Sequence, residues 1–91
     1  MTAARLERHP AIETAWVVDR YLLFDERDGV VHELNPSASA VWDLIDGARA
    51  EKDVIESLSA QFGQDLRADV QVALSDFRTR GLLSDDPVDR A

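Results

Sequence analysis

The sequence has no cysteine, which excludes a disulfide framework and any thiolate zinc site. Its four glycines form no phosphate-cradling loop. No apolar run approaches the roughly 20 residues that a membrane-spanning helix needs. The opening Met1-Thr2-Ala3-Ala4-Arg5-Leu6 lacks the apolar segment of a secretory signal. These absences lead to the expectation of a soluble, cytoplasmic protein with no membrane partner.

Basic residues are also scarce. Ten of them stand against eighteen acidic ones, a net charge of −8, and Lys52 is the single lysine. Duplex binding depends on Lys and Arg displacing counterions from phosphates, so an acidic chain without a basic patch is expected to have no nucleic-acid partner.

Catalytic chemistry is equally thin. Of the two histidines, His9 lies in an aperiodic lead-in and His32 within a strand-like run, and neither makes a nucleophile–base constellation or a metal-ligand spacing. The acids Asp25, Glu26 and Asp28 precede a glycine but lack the alternating ladder and distal Glu of a calcium loop. They read as a solvated hairpin turn. Asp43 and Asp46, and Glu51, Asp53 and Glu56, read as polar helix faces and first-turn acids favoured by the helix dipole. The expectation is no catalytic residue, no metal and no cofactor.

What is present is a chain of 91 residues, 45% of them apolar: enough for one domain with a marginal core. Residues 1–11 show no period and read as a flexible lead-in. Ala15-Trp16-Val17-Val18, Tyr21-Leu22-Leu23-Phe24 and Val30-Val31-His32-Glu33-Leu34 are rich in β-branched and aromatic residues and read as three antiparallel strands. Asp19-Arg20 marks the first turn, and Asp28-Gly29 suits a tight second one.

At Asn35-Pro36 the period changes. Asn35 is a good N-cap and Pro36 suits the first helical position. Ala38, Val41, Trp42 and Ile45 recur at helical spacing, with Gly47 as the stop. A second helix reads from about Glu51 to Phe62, with Val54, Ile55, Leu58 and Phe62 on one face. Asp65 offers a cap for a third, whose stripe is Leu66, Val70, Ala73, Leu74 and Phe77. Leu82-Leu83 reads as a hydrophobic clasp, and residues 84–91 as a disordered acidic tail. The fold class is therefore α+β, a three-stranded antiparallel sheet followed by a three-helix bundle, and winged-helix domains share these parts.

The stretch Leu34-Asn35-Pro36-Ser37-Ala38-Ser39-Ala40-Val41-Trp42-Asp43-Leu44-Ile45-Asp46-Gly47, with the later Phe77 and Gly81-Leu82-Leu83, resembles the signature of the PqqD-like family. The similarity spans about residues 12–83. It departs in lacking paired aromatics around Val30, Val31 and His32, and in having Ala50 where a Thr or Ser cap is usual. The resemblance implies a recognition element for ribosomally made, post-translationally modified peptides. In that family a leader peptide adds a strand to the third strand and lies beside the third helix. The partners so implied are a precursor (leader) peptide and a maturation enzyme such as a radical SAM protein.

An edge strand can accept a guest through its unpaired backbone groups. Alternation sets Val31 and Glu33 on one face, with Val30, His32 and Leu34 on the other. The expected peptide-binding residues are Val30, Val31, His32 and Glu33 on the strand, with Arg67, Val70, Gln71, Leu74 and Arg78 on the third helix. Arg67 and Arg78 are expected to meet leader carboxylates. Trp42 and Asn35 belong to the fold. A monomer or weak dimer is expected. Two alternatives stay open: a winged-helix DNA-binding regulator, and a structural or oligomerisation module pairing strand edges between copies.

Overall fold

The computed structural model describes residues 5–84. Strands β1 (Ile12–Val17), β2 (Arg20–Asp25) and β3 (Val30–Glu33) precede helices α1 (Pro36–Asp43), α2 (Glu51–Phe62) and α3 (Arg67–Thr79). The sheet is antiparallel in the order β1-β2-β3, so β3 is an edge. The α+β architecture is the expected one. No helix among the described residues is long and apolar enough to cross a membrane.

Both turns differ from the sequence reading. Val17 pairs with Arg20, so the first turn is Val18-Asp19, one residue early. Val18 has φ 60, the only non-glycine positive φ among the described residues, and its side chain is exposed. A β-branched residue is strained there. In the second hairpin Asp25 pairs with Val30, so residues 26–29 make a four-residue loop instead of a tight Asp-Gly turn. Gly29 alone takes a positive φ, 74°, and its N–H reaches the Asp25 carbonyl at 2.9 Å.

Asn35 caps α1 as its residue type suggests, accepting the Ala38 N–H at 2.8 Å, with Pro36 behind it. The helix stops at Asp43, short of Gly47. The N–H groups of Leu44 and Ile45 bond three residues back, to Val41 and Trp42, and this tightened turn ends the α-helix. Ile45 stays buried. Gly47, at φ 82, then turns the chain so that its N–H meets the Leu6 carbonyl at 2.9 Å.

Ala50 has no capping side chain, yet Asp53 Oδ2 accepts its N–H at 3.0 Å, which supplies the returning half of a capping box. Asp65 does not cap α3. The Leu66 N–H is held by Ser59 Oγ at 3.0 Å, and Asp65 instead accepts the Arg67 N–H, also at 3.0 Å. The helix therefore starts one residue late, with Leu66 at its N-cap.

Trp42 sits at the centre of the core. It is fully buried, edge-on to Phe77 at 5.3 Å between ring centres, and its Nε1 donates to Thr14 Oγ1 at 3.3 Å. Leu23 reaches this core from the sheet, Ile55 and Leu58 from α2, and Leu74 from α3.

From Arg5 onward the expected loose lead-in packs against the domain. Leu6 is buried, and its N–H bonds the Arg49 carbonyl at 2.8 Å. The His9 N–H meets the Leu82 carbonyl, and the Ser84 N–H the Glu7 carbonyl, each at 2.9 Å. Arg8 lies over the Trp42 ring, 4.9 Å from its centre, and donates to the Trp42 carbonyl. Leu6 gave no periodic signal because one buried residue in a short extended segment has no period. Leu82 is buried, as a clasp requires. Residues 1–4 and 85–91, including nearly all of the expected acidic tail, lie outside the described residues.

A candidate peptide-docking edge and groove

The open side of β3 follows from ladder parity. The Leu34 N–H bonds the Tyr21 carbonyl, and the Glu26 N–H bonds the Ala11 carbonyl, both at 3.0 Å. In an antiparallel sheet alternate residues of the middle strand serve opposite neighbours. Tyr21 and Leu23 therefore turn their backbones toward β3, and Leu22 and Phe24 toward β1. Across the hairpin, His32 (paired with Leu23) faces inward. Val31 and Glu33, paired with Phe24 and Leu22, point their N–H and C=O groups away from the sheet. Nothing among the described residues pairs with that side.

Side chains follow the same alternation. Val31 is 59% exposed on the solvent face of the sheet. Glu33 is exposed there too and forms an ion pair with Arg20 at 2.7 Å. His32 is half-buried on the other face, and Leu34 is in the core.

Beyond β3 the chain enters α1, where a groove of about 740 Å³ opens between α1, the end of α2 and α3. Pro36, Ala40 and Val41 line one wall, Phe62 and Leu66 the floor, and Asp69, Val72, Ala73 and Asp76 the other wall. Phe62, expected on the same face of the second helix as Val54, Ile55 and Leu58, is 53% exposed, and Val72 is 71% exposed. No Cα of β3 comes within 8 Å of one in α3, so strand and helix stand apart.

The space between them is tied by one clasp. Asp25 is 3% exposed, so it is not the solvated turn residue that its acidic neighbours suggest. Its carboxylate accepts from the Arg27 N–H and Nε at 2.9 Å and from Arg27 Nη2 at 2.7 Å. The same Nη2 donates to the Gly81 carbonyl just past α3. The Arg27 guanidinium holds the Asp25 carboxyl down to about 2, against the opposing effect of burial.

The expected α3 residues are dispersed by this geometry. Val70 lines the groove from beneath but is 1% exposed, and Leu74 is wholly in the core. Arg67, Gln71 and Arg78 are exposed but do not line the groove. Gln71 turns toward α2 and donates to Glu51 at 3.3 Å. Among the described residues the charged ones that do line it are Asp69 and Asp76, opposite in sign to the arginines singled out from the sequence. Val72 carried the one available signal, an apolar residue off the Leu66–Val70–Ala73–Leu74–Phe77 stripe.

A free strand edge beside a helical groove, on a winged-helix-like α+β frame, defines the class of domain. More particularly, the chain belongs to the PqqD family: the family described as "Coenzyme PQQ synthesis protein D (PqqD)" matches it over residues 20–83. A solved structure described as "TbiB1 in Complex with the TbiA(beta) Leader Peptide" superposes with TM-score 0.79, covering 91% of this chain and 99% of that one at 19% identity. At that identity the likeness is one of fold. No curated protein sequence matches the chain.

Proposed function

We propose that this protein is a non-catalytic recognition domain that binds the leader segment of a ribosomally made precursor peptide. The leader adds as a fourth strand to β3, and the domain thereby presents the precursor to a maturation enzyme such as a radical SAM protein. The carrying observation is the open edge, where the outward backbone groups of Val31 and Glu33 can be satisfied by a guest strand. Membership of the PqqD family supports the reading, and the similar TbiB1 structure is described as a complex with a leader peptide. The groove beyond β3 supplies side-chain recognition, which backbone pairing alone lacks.

The domain acts by concentration. Holding the leader keeps the modifiable part of the precursor near the enzyme, at an effective concentration set by the linker between them. Ordering a disordered leader costs conformational entropy, so an affinity of roughly micromolar order is expected. A DNA-binding role would need a basic face on α3, and the acids Asp69 and Asp76 weigh against it.

The test is titration of a candidate leader peptide into ¹⁵N-labelled protein. Perturbations concentrated on residues 30–34 and the groove wall support the reading. Saturable binding that leaves β3 untouched would overturn strand addition. Light scattering with and without peptide separates this from edge-to-edge pairing of two copies.

A further inference from the structure

The groove residues also indicate what kind of peptide fits. Resting on the docking role proposed above, we infer that the segment entering the groove is cationic and apolar in alternation, a large apolar side chain flanked by Lys or Arg. Two independent features of the groove point there.

The first is its apolar lining. Phe62 and Val72 are exposed around Leu66 and Ala73, a surface that gains by covering with a guest Leu, Ile or aromatic ring. The second is its charge. Among the described residues no Lys or Arg lines the groove, and the two charged ones that do are both aspartates. Asp69 has no ion-pair partner among the described residues, and Asp76 is paired only with Arg80, one turn along, at 3.2 Å. The nearby end of α1 offers little to an anion, since Pro36 has no N–H and Asn35 already caps Ala38. The overall charge of −8 acts in the same direction, steering cationic peptides in and acidic ones away.

Geometry sets the spacing. Asp69 and Asp76 are seven residues apart on α3, about 10 Å along its axis. Side chains on one face of an extended guest recur about every 6.6 Å. Basic groups two positions either side of an apolar one span about 13 Å, a difference that long, flexible Lys or Arg side chains absorb.

The experiment uses the full chain and three synthetic fluorescein-labelled peptides on one extended scaffold. They carry Arg-Leu-Arg, Glu-Leu-Glu or Arg-Ser-Arg at alternate positions. By anisotropy the first is expected to bind about tenfold tighter than either other, with affinity falling as salt rises. In ¹⁵N spectra it is expected to shift Phe62, Asp69, Val72 and Asp76. Asp69→Lys, a change at an exposed position, leaves the groove with one positive and one negative charge and is expected to abolish the preference between the Arg and Glu peptides.

Equal binding of the Arg and Glu peptides, or no shift of those groove residues, overturns the inference. If shifts confine themselves to β3 and ignore peptide charge, edge docking stands and this inference falls. If the groove shifts while β3 does not, the inference stands and strand addition falls. Groove shifts that follow protein concentration without peptide would assign the groove to a second copy and overturn it.

Discussion

Arg27 reaches 54 residues along the chain to donate to the Gly81 carbonyl at 2.6 Å, with its other contacts committed to Asp25. One guanidinium thus holds the β2–β3 loop to the end of α3. This clasp titrates on the acid side. With the Asp25 carboxyl lowered to about 2 by Arg27, its stabilisation is complete above the ordinary carboxylate range. It declines as pH falls below about 4 and is lost once pH passes the folded value near 2. Glu26, raised by its neighbour Glu13, works in the opposite direction, so wild type must be compared with Asp25→Asn. The variant is expected to be less stable at pH 7 and to lose less on acidification to pH 2. A parallel pair of urea-midpoint curves across that window would refute the clasp.

Strand addition makes a position-specific demand of β3. The Val31 N–H points outward, so Val31→Pro removes a docking donor while sparing the β2 ladder. The His32 N–H points inward, so His32→Pro breaks the sheet. Val31→Pro should keep a near-native circular dichroism spectrum and lose at least about tenfold in leader affinity, whereas Val31→Thr should bind normally. Equal binding by all three Val31 forms would rule out pairing at this edge.

The Val18 turn is expected to be improvable. Val18→Gly relieves a positive φ that a β-branched residue tolerates poorly, and the unfolded chain gains some entropy in return. The balance should be about 1 kcal/mol of added stability, or roughly 4–8 °C in Tm for a domain of this size. A lower Tm would show that Val18 makes contacts that outweigh the strain.

Trp42 is a fold residue. Trp42→Ala removes the side chain packed between Arg8, Thr14 and Phe77, an expected cost of about 3–5 kcal/mol. Loss of the cooperative thermal transition is expected. A folded Trp42→Ala protein defective only in peptide binding would move Trp42 into the site.

Leu74 and Phe62 are expected to behave oppositely. Leu74→Ala empties a fully buried position and should cost about 2–5 kcal/mol. Phe62→Ser alters an exposed groove side chain, so Tm should move little while peptide affinity falls. Chemical denaturation and anisotropy on the same two variants decide it.

Much of this protein is set by local pattern. Short β-rich runs and the Asn35-Pro36 helix start place the three strands and three helices to within about three residues, because caps, turns and periodicity act over a few neighbours. The outward side chains of Val31 and Glu33 were legible for the same reason, since alternation in a strand is a local property. Tertiary structure alone decided that Leu6 is core, that Asp25 is buried, and that Phe62 and Val72 rather than Leu74 face the groove. It also set the groove's charge, since helical period gives relative angles on α3 but not which angle meets a neighbour. That orientation depends on contacts between residues far apart in the chain, such as Arg27 with Gly81, which no local pattern encodes.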